Sequence, residues 1–287
     1  MTVIYAGLAT GAVYALIAVG YNLIQLAANV LNFANAHLFV LAGFIGYWGI
    51  TVQSLPPALV LVISAGACGL VALAEERTAI RPLAGSTGHT ELITTVGFGT
   101  VITGVILLAW GADPKEVDFL GSGHAFSLGG GRLAAVDIVL VVLAVVVALG
   151  LHIGASKTRV GLATLALAED AEAAQLRGID TRLFAIVGFC VTGAVAGLLG
   201  PVIAVKTFAV VSLPLIMAVK GFVAMTLGGA GSFVGALAGG LVLGLIESVC
   251  ARYLDPGAKD VVIFALFMAV LLTRPQGMFG RRELRSV

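Results

Sequence analysis

Charge is the first thing this sequence lacks. Of its 287 residues only 11% are charged and 60% are hydrophobic, and no Lys, Arg, Asp or Glu precedes Glu75. Mean hydropathy is +1.10. A water-soluble globule needs polar side chains over its surface, so composition excludes that class. It fits repeated crossings of a hydrocarbon layer ~30 Å thick, each needing about 20 apolar residues. The apolar runs are continuous and do not alternate with polar residues, which favours helices over a membrane barrel. No basic segment precedes the first run, so residues 3–28 read as a retained span and not as a signal peptide.

Reactive side chains are also scarce. Cys68, Cys190 and Cys250 lie far apart, each within or at the end of an apolar run, and read as buried thiols with no disulfide or metal site. His37, His89, His124 and His152 are scattered singly. There is no Gly-Lys dipeptide, so no phosphate-binding loop of the form G-x-x-x-x-G-K-[ST] exists. H-E-x-x-H and G-x-S-x-G are missing as well. The chain is therefore not expected to be an enzyme or to carry a cofactor or metal, and a net charge of +1 without a basic cluster gives no support for nucleic-acid binding. Ion-coupled carriers place carboxylates at membrane depth, and here the strong candidate is Glu247. Followed by Arg252 and Lys259, it reads as interfacial. Lys206 and Lys220 bracket a short apolar stretch and read as snorkelling outward.

What is present is hydropathic runs at 3–28, 30–50, 57–75, 91–110, 134–155, 183–205, 210–228, 232–250 and 259–273. The expected fold is an all-α polytopic transmembrane bundle of about 8–10 spans, one domain over residues 1–287. Connections carry nearly all the charge. Arg77 and Arg81, the 156–182 connection, and the tail with Arg274, Arg281, Arg282 and Arg285 are rich in basic residues and are placed in the cytoplasm. The 111–133 connection has more acid than base and reads as an external loop. The amino terminus then faces outward if residues 3–28 and 30–50 each cross once; an inward one needs an extra crossing or a re-entrant segment. The stretch "NVLNFANAH", Asn29 to His37, is the place for a break, because exposed amides in lipid are costly. Gly231, Gly235 and Gly239, spaced by four with small neighbours, read as a helix-packing face.

Against this background "LAEDAEAAQLRGIDTR", Leu167 to Arg182, is conspicuously charged. Its alanines and leucines favour helix, and Gly178 is placed to end it. Leu165, Ala168, Glu172 and Leu176 fall close to one stripe, so an amphipathic helix is expected that either docks in a partner's groove or lies solvated.

"EAAQLRG", Glu172 to Gly178, resembles the E-A-A-x-x-x-G cytoplasmic loop of ABC importer permeases, and its whole surroundings resemble the branched-chain amino acid permease family. "GLATGAVYALIAVGYNLI", "VLNFANAHLFVLAGF", "KGFVAMTLGGAGSFVGALAGGLVLGLIE" and "RPQGMFGRR" resemble further segments of that family in its own order, closest to its LivH-like subunit type. The resemblance implies a prokaryotic inner-membrane importer permease for branched-chain or hydrophobic amino acids or related small solutes, forming half of a translocation pathway. Its implied partners are a second homologous permease, two cytoplasmic ATP-binding subunits, an external solute-binding protein and membrane lipid. It assigns ATPase coupling to Glu169, Asp170, Glu172, Ala173, Ala174, Arg177 and Gly178. It also draws attention to Asn32, Phe33, Asn35 and His37 as substrate-path candidates. Family members commonly continue N-F-A with His-Gly or Gln-Gly, whereas Asn35-Ala36-His37 follows here, a departure that bears on the substrate. The competing expectation is a stand-alone channel or ion-coupled secondary transporter for a small polar solute, which would move substrate without any ATPase.

Overall fold

A computed structural model describes residues 2–83, 88–118, 125–128, 131–254, 256–274 and 277–279. Its elements are α1 (Thr2–Ala28), α2 (Asn35–Gly46), α3 (Pro57–Glu75), α4 (Gly88–Trp110), α5 (Ala135–Lys157), α6 (Arg159–Glu169), α7 (Ala171–Leu176), α8 (Thr181–Thr207), α9 (Leu213–Gly228), α10 (Phe233–Tyr253) and α11 (Pro256–Thr273). A small antiparallel hairpin, β1 (Ala125–Leu128) and β2 (Gly131–Ala134), lies in the connection expected to be external. Seven helical segments of the described chain are long and apolar enough to cross a membrane, and α9 is a shorter apolar helix. The tail residues Pro275, Gln276, Arg281, Arg282 and Arg285 lie outside the described residues, as do 119–124 and 129–130 of the external connection.

The chain folds as two compact units interleaved in sequence, one of residues 1–22, 125–153 and 220–287, the other of residues 23–124 and 154–219. In the second unit α8 packs on α2 and α3. Gly193 and Gly197 lie where a Cβ would overlap backbone of α3 at Cys68 and Ser64, and Gly200 where it would overlap Phe39 and Ala42 of α2. Small residues are what let these helices touch backbone to backbone. At the far end of this unit, Lys115 and Ala209 exchange backbone hydrogen bonds of 3.0 and 2.9 Å.

The first unit repeats the device. Gly240 and Gly244 of α10 sit against Ala15 and Gly11 of α1, while Gly235 and Gly239 meet Gly228 and Ala224 of α9. Gly231, expected on the same helix face, instead belongs to the α9–α10 turn, because Ser232 caps α10 by accepting from Gly235 N. Gly231 has a φ of 79° there, in the left-handed region that favours glycine.

Lys220 and Glu247 depart from expectation. Lys220 is buried and does not snorkel, and Glu247 is buried as well. Lys220 Nζ lies 2.6 Å from Glu247 Oε1, with Lys259 Nζ at 3.3 Å from the same oxygen. The Tyr14 hydroxyl donates to Glu247 Oε2 at 2.7 Å, and Asp260 lies 3.4 Å from Lys220. Two cations and two anions are thus balanced across α1, α9, α10 and α11. The apolar runs do not reveal this pairing, since its members are far apart in sequence.

The direction of α1 follows from the same unit. Asn22 Oδ1 accepts from Gly231 N and its Nδ2 donates to Ser232 O, both at 2.9 Å. Met278 N and Phe279 N of the tail donate to Leu227 and Gly228 carbonyls at 2.9 Å. The carboxyl end of α1, the α9–α10 turn and the tail therefore share one membrane face. Arg274 makes that face the expected cytoplasmic one, which would start α1 outside.

Two expectations follow. A Thr2→Cys variant, with native cysteines replaced, should react with an impermeant maleimide added outside intact spheroplasts; labelling only after lysis would reverse the topology. Lys220→Met should cost about 3 kcal/mol by leaving Glu247 under-compensated, and Lys220→Met/Glu247→Met should recover part of that. Unfolding in detergent measures both, and an additive double variant would mean the pair is uncoupled.

Candidate permeation site and coupling helix

The break expected at Asn29–His37 is a turn made by asparagines. Asn29 has a φ of 55°, a left-handed conformation that asparagine tolerates better than most residues. Asn32 Oδ1 accepts from Ala34 N at 2.8 Å, closing a turn of the Asx kind. The Thr95 hydroxyl of α4 accepts from Phe33 N at 3.3 Å. α2 then begins at Asn35 without a side-chain cap. All of this lies in the second unit.

The structure thus brings Asn32, Phe33, Asn35 and His37 into one buried neighbourhood and adds a residue that the sequence leaves as a marker of the first charged connection. Asn32, Asn35 and Glu75 have no exposed surface, and His37 is 6% exposed. Phe33 is half-buried. Gly99 of α4 lies against the His37 ring, where a Cβ would come within 2.7 Å. Asn32 is the polar neighbour of the Glu75 carboxyl at the end of α3.

The satisfaction of these groups is uneven. Asn32 Nδ2, both amide atoms of Asn35, His37 Nδ1 and both Glu75 oxygens have no hydrogen-bond partner among the described residues. Most buried polar atoms in folded proteins are paired, so each exception needs a reason. Glu76 differs, since its Oε1 faces Arg81 at 3.5 Å. The sequence signal for Glu75 is faint: an acid at the end of an apolar run, followed two residues later by an arginine, reads equally well as a loop charge.

The charged connection holds the second candidate. The single helix expected there is broken at Asp170, whose backbone is extended and whose carboxylate caps α7 by accepting from Ala173 N at 2.9 Å. The stripe Leu165, Ala168, Glu172, Leu176 is therefore split between two helices. Physically, an aspartate before a new helical turn competes with the helix by bonding its own backbone. Gly178, with a φ of 86°, ends α7. Gly178 N donates to Gln175 O and Ile179 N to Ala174 O, the two bonds of a Schellman cap. Asp180 caps α8.

Of the coupling candidates, Glu169, Asp170, Glu172, Ala173, Arg177 and Gly178 are exposed, whereas Ala174 is buried within the chain itself. Leu176, 90% exposed, is a bare apolar side chain at the end of α7. Among the described residues no cluster of His, Cys, Asp or Glu could hold a metal ion.

Comparison with known proteins agrees with this architecture. A family described as branched-chain amino acid transport system / permease component matches residues 3–271. The high-affinity branched-chain amino acid transport system permease protein BraD of Pseudomonas aeruginosa is 30% identical over 98% of this chain and 96% of its own length. The high-affinity branched-chain amino acid transport system permease protein LivH of Salmonella typhimurium is 31% identical over 99% of this chain and 96% of its own. A probable LivH permease of Methanocaldococcus jannaschii is 26% identical over 92% and 88%. No solved structure matches. A multi-pass membrane chain without a nucleotide-binding loop, similar to these permeases from end to end, belongs to the permease family of branched-chain amino acid transport systems.

Proposed function

We propose that this chain is a permease subunit of an ATP-driven importer for branched-chain or other hydrophobic amino acids, and that α7 is where it meets the ATPase. A second homologous permease would complete the pathway, two ATP-binding subunits would sit at the cytoplasmic face, and a solute-binding protein would deliver substrate from outside. The observation that carries the reading is α7 itself: a short helix, capped at both ends by its own chain, that presents Leu176 at 90% exposure. An exposed leucine on a rigid, polar-rimmed element supports docking in an apolar groove.

In this mechanism ATP binding closes the ATPase pair, which displaces α7. Gly178 and Asp180 join α7 to α8, so the displacement reaches the spans through α8, whose glycine contacts hold it to α2 and α3. The path would be bordered by the Asn32–His37 turn. The rival, an ion-coupled carrier working through Glu247, has less support because that carboxylate is occupied by Lys220, Lys259 and Tyr14.

Purification of the tagged chain from membranes should bring down two ATP-binding subunits and a second permease; recovery of the chain alone, active for leucine flux in liposomes, would overturn the reading. Leu176→Glu should leave the stability of the purified chain within about 0.5 kcal/mol, as expected for an exposed position. It should lower leucine uptake about tenfold or more through weakened ATPase association. Native uptake and native co-purification in that variant would remove α7 from the coupling role.

A further inference from the structure

The two units treat buried carboxyls in opposite ways. Glu247 is met on both oxygens by groups of its own unit, with Lys220 and Lys259 on Oε1 and Tyr14 on Oε2. Glu75 has no exposed surface, and its one polar neighbour, the Asn32 side chain, falls outside good hydrogen-bond geometry with either oxygen. An ionised carboxylate in that state is strongly unfavourable unless a cation reaches it. The nearby basic side chains are otherwise placed: Arg81 lies against Glu76, and Arg77 is exposed.

The unpaired atoms of Glu75 and of the asparagine turn beside it have a definite chemical character. Acceptors without partners are Glu75 Oε1, Glu75 Oε2 and Asn35 Oδ1; donors without partners are Asn32 Nδ2 and Asn35 Nδ2. An ammonium brings three N–H donors and no acceptor, and a carboxylate brings acceptors only. One molecule carrying both groups would satisfy both halves of this set. The asparagine turn that shapes the segment accounts for the pattern at Asn32, because its Oδ1 is used on Ala34 N while its Nδ2 is left unpaired.

We propose that Glu75, Asn32 and Asn35 form a binding site for the head group of a zwitterionic α-amino acid, with the Glu75 carboxylate receiving the ammonium and the two asparagine amides the carboxylate. The inference rests on the reading of the chain as an amino-acid permease. Glu75 ends α3 just before Arg77 and Arg81, which places the site in the cytoplasmic half of the pathway. It is therefore a late station, reached after the substrate has left the external binding protein. Recognition of the head group alone would leave side-chain selection to other parts of the system.

The test uses the complete transporter with its binding protein in proteoliposomes and leucine, isoleucine and valine as probes. Should the native complex take up no α-amino acid, the functional reading itself fails, whatever Glu75 does. Where it does, Glu75→Gln, which keeps the shape and removes the charge, should cut uptake about tenfold or more, and Glu75→Asp should restore most of it. Uptake by Glu75→Gln within about twofold of native overturns the site. A second measurement needs no variant: a hydrophobic carbodiimide is applied to the native complex and modification of Glu75 is followed by peptide mass spectrometry. Leucine should slow the modification and 4-methylpentanoate, the same skeleton without the amino group, should not. Absence of modification at Glu75, or modification that leucine fails to slow, overturns the proposal.

Discussion

Removing a polar group from water without giving it a partner costs several kcal/mol in an apolar surrounding, and this cost organises the whole molecule. Helices answer it for the backbone. For side chains the answers differ from place to place. Tyr14, Lys220, Glu247, Lys259 and Asp260 neutralise one another across four helices, and Asn22 satisfies the turn at Gly231 and Ser232. Around Asn32, Asn35 and Glu75 the requirement is left open. A saturated network holds helices together; the unsaturated one is where the head-group site is proposed.

Close approach of backbones is the second condition. Lipid tails are as apolar as leucine, so helix association in a membrane depends on contact and on shape. Gly193, Gly197 and Gly200 give α8 two neighbours, and Gly235, Gly239, Gly240 and Gly244 do the same for α10. On α8 the three glycines form one stripe that meets α3 and then α2 at successive heights, whereas on α10 Gly235 and Gly239 face α9 and Gly240 and Gly244 face α1 from another side.

The sequence made the class of fold legible because hydrophobic run length is set by bilayer thickness, a constraint independent of tertiary detail. The runs at 134–155 and 183–205 became helices over Ala135–Lys157 and Thr181–Thr207, close to where hydropathy placed them. The pairing of Lys220 with Glu247 was hidden, since charge in a run looks the same whether it faces lipid, water or a counter-ion. The break at Asp170 was hidden by alanine-rich composition, which outweighs a single capping side chain in any average over the segment. Asn32, Asn35 and His37 stood out as amides and imidazole in an apolar stretch, but Glu75 joined them only once α3 was folded against their turn. A Cβ at Gly235 or Gly239 would overlap backbone of α9, whereas Gly231 lies in the turn.

The double capping of α7 has a consequence for assembly. A six-residue helix is far too short to persist in water by propensity alone. Asp170 at one end and the Gly178 turn at the other fix it before anything binds. A partner that meets this helix finds it already in shape, so the ordering entropy has been settled during folding of the permease and not at the moment of encounter. In the proposed coupling role, a push on α7 would meet a helix that is already formed.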